Sequence, residues 1–155
     1  NNMITKNNII EAQKKWGDGI VKIGSLMDNK SDCIDFTISF LNTMYDFKNG
    51  KVLFKPTKAS KEQFRPEFDM AFSYFIGGEN SYCEEDTGFA MKPWIKVEFS
   101  NSGFIIEEKR AIAMGNYFFT DSNGNTIKVE YTFGYKFSNN NLVIDLHHSS
   151  LPFAS

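Results

Sequence analysis

From Val129 onward every second residue is large and apolar: Val129, Tyr131, Phe133, Tyr135 and Phe137. A period of two places these side chains on one face of a β-strand. The amino-terminal part obeys another period. Ile9, Trp16, Ile20, Ile23 and Met27 recur at intervals of three, four and seven, which is the stripe of an amphipathic helix. A chain that opens on helices and closes on strands is α+β, with helices gathered against one face of an antiparallel sheet. At 155 residues, positions 1–155 read as a single domain.

The boundaries follow from local chemistry. Thr5 is placed to cap the first helix. Gly17 and Gly19 weaken its middle by about 1 kcal/mol each relative to Ala, so packing has to hold it. Ser31 or Asp32 is expected to cap a second helix running to Tyr45, with Ile34, Ile38, Leu41 and Tyr45 inward. Asn49-Gly50 turns the chain into a short strand at 52–54. Thr57 caps a short segment ending near Arg65, and Pro66 opens a helix carrying Met70, Phe72, Tyr74 and Phe75. Gly77-Gly78 stops it. Residues 79–91, with Glu84-Glu85-Asp86, read as a solvated loop.

Strands fill the rest. One covers 94–99, and Asn101-Ser102-Gly103 is expected to turn into a long strand over 104–119, bent at Gly115. The segment 121–124 is a hairpin turn. Strands at 127–137 and 142–149 follow, joined by three asparagines. A strongly bent sheet on amphipathic helices makes a cone-shaped barrel with an apolar interior, a natural place for a small molecule.

Composition supports that interior: 16 Phe, 6 Tyr and 2 Trp. Charge excludes other classes. The net charge is −2, and Arg65 and Arg110 are the only arginines, so no basic stripe exists for nucleic acid. No apolar run approaches the ~20 residues of a membrane span. Cys33 and Cys83 read as free thiols of a reducing compartment. The start at Asn1-Asn2-Met3 leaves open an excised domain or a removed targeting segment, hence a cytoplasmic or a plastid location.

Only two histidines are present, His147 and His148. As neighbours on a strand they point to opposite faces and cannot share a metal ion. Neither cysteine has metal-ligand spacing, and no glycine-rich phosphate loop occurs. Alternation puts Asp145, His147 and Ser149 on one face. Their side chains would stand ~6.5–7 Å apart, too far for a hydrolase relay. A polar site and a plain strand end with backbone-bonded hydroxyls remain equally open on pattern alone.

The run Val143-Ile144-Asp145-Leu146-His147-His148-Ser149-Ser150-Leu151-Pro152 resembles the closing signature of the iota-class carbonic anhydrases. The resemblance continues through Leu41-Asn42-Thr43-Met44-Tyr45, Val52-Leu53-Phe54-Lys55-Pro56-Thr57, Ser73-Tyr74-Phe75-Ile76-Gly77-Gly78 and Glu85-Asp86-Thr87-Gly88-Phe89-Ala90. It covers nearly the whole chain in order. More distantly, the ending is similar to that of the calmodulin-dependent kinase II association domain. Both families share the cone fold of nuclear transport factor 2.

The resemblance implies reversible hydration of carbon dioxide to bicarbonate, with no cofactor. Manganese and zinc are the less favoured alternatives. It implies that Thr57, Tyr74 and Ser149 hold bicarbonate, with Ser150 one residue away as the alternative to Ser149. Each hydroxyl can donate and accept. His147 is the candidate to take the proton, since its unperturbed pKa is ~6.5, and Asp145 the candidate to orient it. A homodimer is expected through the outer sheet face. The competing reading is a non-catalytic association module, which the same fold also serves.

Overall fold

Thr5 sets the first helix, α1 (Lys6–Ser25). Its hydroxyl accepts from the Asn8 amide at 3.1 Å, and the Asn8 side chain accepts from the Thr5 amide at 2.9 Å. This reciprocal pair satisfies two donors that a helix start otherwise leaves open. The computed structural model describes residues 3–154; Asn1 and Asn2, which raised the question of an excised start, lie outside the described residues, as does Ser155. Ile9, Trp16, Ile20 and Ile23 are buried as the stripe requires, but Met27 lies past the helix end and is exposed. Gly17 and Gly19 both face close neighbours. A Cβ on Gly17 would sit 3.2 Å from Val97, and one on Gly19 would collide with the Phe40 ring.

The second helix, α2 (Lys30–Met44), is capped by Asn29, whose side chain accepts from the Asp32 amide at 3.1 Å. The expected cap at Ser31 or Asp32 is therefore two or three residues late. The buried face is also rotated. Cys33, Thr37, Phe40, Leu41 and Met44 point inward, while Ile38 is exposed. Thr37 tolerates burial because its hydroxyl donates to the Cys33 carbonyl at 2.7 Å.

Strand β1 (Leu53–Lys55) leads into residues 57–65, which form no helix. Thr57 does not cap one. Glu85 shapes the segment instead. Its carboxylate accepts the amides of Ser60, Lys61 and Glu62 at 2.8, 3.0 and 2.8 Å, and the Ser60 hydroxyl at 3.0 Å. Within the acidic run Glu85 is thus structural, while Glu84 stays exposed as expected of a solvated loop. Helix α3 (Phe68–Ile76) starts two residues after Pro66 and ends at Gly77 (φ +67°). A Cβ on Gly77 would meet the Thr87 and Gly88 backbone at 2.8 Å, so the return loop fits only there.

Four antiparallel strands follow: β2 (Trp94–Ile106), β3 (Arg110–Asp121), β4 (Thr126–Ser138) and β5 (Asn141–Ser150). With β1 parallel to β5, the sheet order is β1-β5-β4-β3-β2. β2 runs straight through the turn expected at 101–103, and the chain reverses at 107–109 instead. The register shifts between Asn101 and Gly103, so Ser102 is an extra residue. Gly115 stands opposite, where a Cβ would strike the β2 backbone. The bend expected at Gly115 is there, but its inserted residue lies on the partner strand. Asn139 (φ 52°) and Asn140 (φ 65°) supply the left-handed pair that a tight β4–β5 turn needs.

A second irregularity decides what β5 presents. Gly134 pairs with Leu146 and Tyr135 with Ile144, so Asp145 is the inserted residue. Asp145 therefore leaves the His147 face. It binds Arg110 through two contacts of 3.0 and 2.5 Å outside the sheet. The expected pairing of Asp145 with His147 fails for this reason. The bent sheet stays open, with β1 and β2 as its edges, and the helices cover its concave face.

Candidate active site

The closing strand brings His147 and Ser149 into the interior, with exposures of 2% and 0%. β3 brings Tyr117, α3 brings Tyr74, and the end of β1 brings Thr57 two residues later. Thr57 Oγ1 lies 2.6 Å from Ser149 Oγ. Tyr117 donates to Ser149 Oγ at 2.6 Å and lies 3.0 Å from His147 Nε2. His147 Nδ1 lies 2.9 Å from the Tyr45 hydroxyl, which accepts from the Trp16 indole at 2.9 Å. Tyr74 accepts from the Lys58 amide at 3.1 Å, and the Thr57 hydroxyl is close enough to act on both Tyr74 and Tyr117.

These groups surround a small cavity with about 10 Å³ of free volume, about the room one water needs. Thr57, Tyr74 and Ser149 all line it, as do Tyr117 and His147. Trp16, Phe54, Phe75 and Phe89 supply apolar wall. Ser150 lies elsewhere. Its hydroxyl donates to Glu130 at 2.8 Å on the outer face, so the alternation that turns Ser149 inward turns Ser150 away. His148 also points outward and is exposed.

Burial sets the protonation of the cluster. It pushes the Tyr45, Tyr74 and Tyr117 phenols well above their usual range, because a buried phenolate loses its water. It pushes His147 well below its usual range, with His148 adding to the shift. All four are neutral near pH 7. His147 is further fixed by stacking on Phe54, with ring centroids 4.8 Å apart and planes 18° apart. Lys55 donates to the Ser149 carbonyl at 3.0 Å and ties β1 to β5 behind the site.

Sequence reasoning passed over the support of Tyr74. Arg65 is fully buried and binds Asp86 through two nitrogens at 2.9 and 2.7 Å. It also donates to the Met70 carbonyl at 2.9 Å, inside α3. Ser73, next to Tyr74, donates to Asp86 at 2.5 Å. The guanidinium lies 5.9 Å from the Tyr74 ring. Arg65 is the one arginine in this loop-rich stretch, and a buried guanidinium needs an acid; Asp86 within the acidic run was the available signal. Tyr117 was also passed over. Alternation with Ala111, Ala113 and Phe119 would have placed it inside.

Among the described residues, no group of three His, Cys, Asp or Glu side chains is arranged to hold a metal ion. Cys33 and Cys83 are free thiols. Among the described residues, no helix is long and apolar enough to cross a membrane.

Residues 7–151 match the family model described as metal-independent carbonic anhydrase. A protein of that name from Nostoc sp. is 36% identical over 157 residues, covering 99% of this chain and 76% of the Nostoc protein. A crystal structure of the iota-carbonic anhydrase from a cyanobacterium, complexed with bicarbonate, superposes with a TM-score of 0.94 at 34% identity, covering 100% of this chain and 96% of that one. A Shewanella oneidensis protein of unknown function, named as NTF-2 like, shares the fold at a TM-score of 0.58 and 13% identity, covering 95% and 99%. A Xanthomonas campestris protein named for the calcium/calmodulin-dependent kinase II association domain does so at 0.63 and 17%, covering 99% and 97%. By sequence, by fold and by the match of one near-complete model, the chain belongs to the metal-independent carbonic anhydrase family.

Proposed function

We propose that Thr57, Tyr74 and Ser149 hold the reacting oxygens while the chain converts carbon dioxide and water reversibly to bicarbonate. The convergence of these three hydroxyls on one water-sized, aromatic-walled space carries the reading. The walls suit apolar carbon dioxide. As water attacks the carbon, a C–O bond forms and negative charge moves onto the carbon dioxide oxygens. Hydroxyl donors already in place stabilise that charge without reorganising, and exclusion of bulk water strengthens them. The water's proton passes to solvent or a dissolved base.

From the sequence His147 is the candidate to take that proton. Both its nitrogens are already engaged, by Tyr45 and by Tyr117. We therefore assign it to orienting Tyr117 rather than touching the substrate. Ser150 has no part in the site. Residues 1–155 act as one domain on this reading.

Carbon dioxide hydration measured after thorough chelation tests the proposal, alongside Thr57→Val and Tyr74→Phe. Full activity in both variants would remove these hydroxyls from the reaction. Loss of activity in the parent on chelation would overturn the metal-free chemistry.

A homodimer is also proposed, with bicarbonate and carbon dioxide as the small-molecule partners. Ile105 and Ile112 pair across β2 and β3 on the outer sheet face, Met114 is their neighbour, and all three are exposed. Light scattering on the parent and on Ile112→Glu reads this directly. A monomeric parent would refute it.

A further inference from the structure

The hydrogen bonds behind the cavity form one chain with one direction. It begins at Trp16, whose indole N–H can only donate, so the Tyr45 oxygen must accept. Tyr45 is 1% exposed, and its own proton needs an acceptor. His147 Nδ1 at 2.9 Å provides it. The nearby Tyr135 hydroxyl does not, since it has no hydrogen-bond partner at all. The opposite arrangement, Nδ1–H toward Tyr45, would leave a buried phenol proton with nowhere to go, which is the costlier state.

A neutral imidazole has one donor nitrogen and one acceptor. With Nδ1 accepting, Nε2 carries the proton and gives it to Tyr117 at 3.0 Å. Tyr117 then donates to Ser149. Either hydroxyl could donate across the Ser149–Thr57 contact, but Ser149 is fully buried, so its own proton goes to the Thr57 oxygen beside it. Thr57 is last, and its proton turns toward the cavity, where the Tyr74 oxygen and the cavity contents are within its reach. Tyr74 reaches the same state separately. Its oxygen accepts from the Lys58 amide, so its proton is also free to face inward.

We propose that Trp16 and Tyr45 are positioning residues for the reaction: they hold His147 as the Nε2–H tautomer and so aim the protons of Tyr117, Ser149 and Thr57 toward the substrate. Thr57 and Tyr74 then meet the cavity contents as donors. The space is complementary to oxygen acceptors, the oxygens of carbon dioxide and bicarbonate. The same direction closes the route inward. No proton enters the chain unless every link reverses, so the proton of the attacking water leaves to a dissolved base rather than to His147. The inference rests on Thr57 and Tyr74 facing substrate.

Long-range proton–nitrogen NMR of the histidine-labelled full chain reads the tautomer directly. The chain has two histidines, and His148→Gln assigns them. The expected result is a single His147 species near pH 7 with a protonated Nε2 and a bare Nδ1. The opposite tautomer, or an averaged pair, would overturn the proposal. Tyr45→Phe removes one hydroxyl and little volume. Its His147 signals are expected to move toward the average of two tautomers, with kcat per folded molecule about five- to tenfold lower, the worth of roughly one hydrogen bond, and KM little changed. A residue that only supports packing would lower the melting temperature and leave the tautomer and kcat alone, which would refute the positioning role. Thr57→Val separates the two layers. If it keeps full activity while the parent shows the expected tautomer, the substrate assignment has failed and the chain of protons has not.

Discussion

Arg65 and Asp86 meet through two parallel hydrogen bonds of 2.9 and 2.7 Å, with neither side chain open to water. Removing one partner strands a buried charge, which costs about 3–5 kcal/mol. Asp86→Ala is expected to lower the melting temperature by about 10 °C, given about 2–4 °C per kcal/mol at this size. Tyr74 should lose its position in the same variant, because Ser73 and Met70 hang on the pair. Calorimetry giving a loss under about 1 kcal/mol would show the pair to be dispensable.

Thr57→Val and Tyr74→Phe each remove one hydroxyl while keeping shape. Loss of a single preorganised donor to a developing oxyanion costs about 10²–10³ in kcat. A fall of that order is expected for each at nearly unchanged stability. Stopped-flow hydration with a pH indicator measures it.

Two acid-sensitive groups should separate in pH. His147 is held neutral, below its unfolded pKa of ~6.5. The unfolded chain then binds the extra proton first. Stability contributed by neutral His147 is complete above pH ~6.5 and is lost as pH falls below it, at up to about 1.4 kcal/mol per unit. Urea melts between pH 7 and pH 5 should show that slope, and His147→Asn should flatten it. A parent whose stability is level across this window would contradict the burial argument.

Glu85 acts lower. The amides of Glu62 and Ser60 lead in holding its carboxyl at about 2. Its contribution is present above its ordinary pKa of 4.5 and is lost between there and about 2. Glu85→Gln should therefore remove part of the acid sensitivity in that lower window and leave the upper one untouched. Far-ultraviolet titration of the two proteins compares them.

The Tyr135 hydroxyl is the one buried side-chain polar atom without a partner among the described residues. Removing an unsatisfied buried group relieves about 1–3 kcal/mol of desolvation. Tyr135→Phe should stabilise the protein or leave it unchanged. A clear loss in a denaturant melt would reveal a bound water there.

The α+β layout was legible because two periods are written plainly in the chain. The first helical stripe, except Met27 beyond the helix end, and the aromatic alternation of β4 both survive folding. The errors fall where spacing is interrupted. One inserted residue at Ser102 kept β2 going where a turn was expected, and one at Asp145 moved a carboxylate from the inner face to the outer. A bulge has no residue code of its own; it is fixed by what the partner strand allows, here Gly115 and Gly134. Thr57, Tyr74, Ser149 and His147 were all named from the sequence, and all line one cavity. Trp16 reads as part of the helical stripe, and Tyr117 is one position within an expected strand. Only tertiary contact shows that their polar ends join the same network.

The site also has an electrical character that follows from its burial. Three phenols are pushed up and one imidazole down, so nothing lining the cavity gains or loses charge near neutrality. On the proposed site a neutral lining holds bicarbonate through hydroxyl donors alone, without an ion pair. No fixed cation clamps the anion, so its release breaks hydrogen bonds only. The charge of the lining therefore bears on how readily the anion leaves, while the local balance of carbon dioxide and bicarbonate sets the direction of net flux, as for any catalyst.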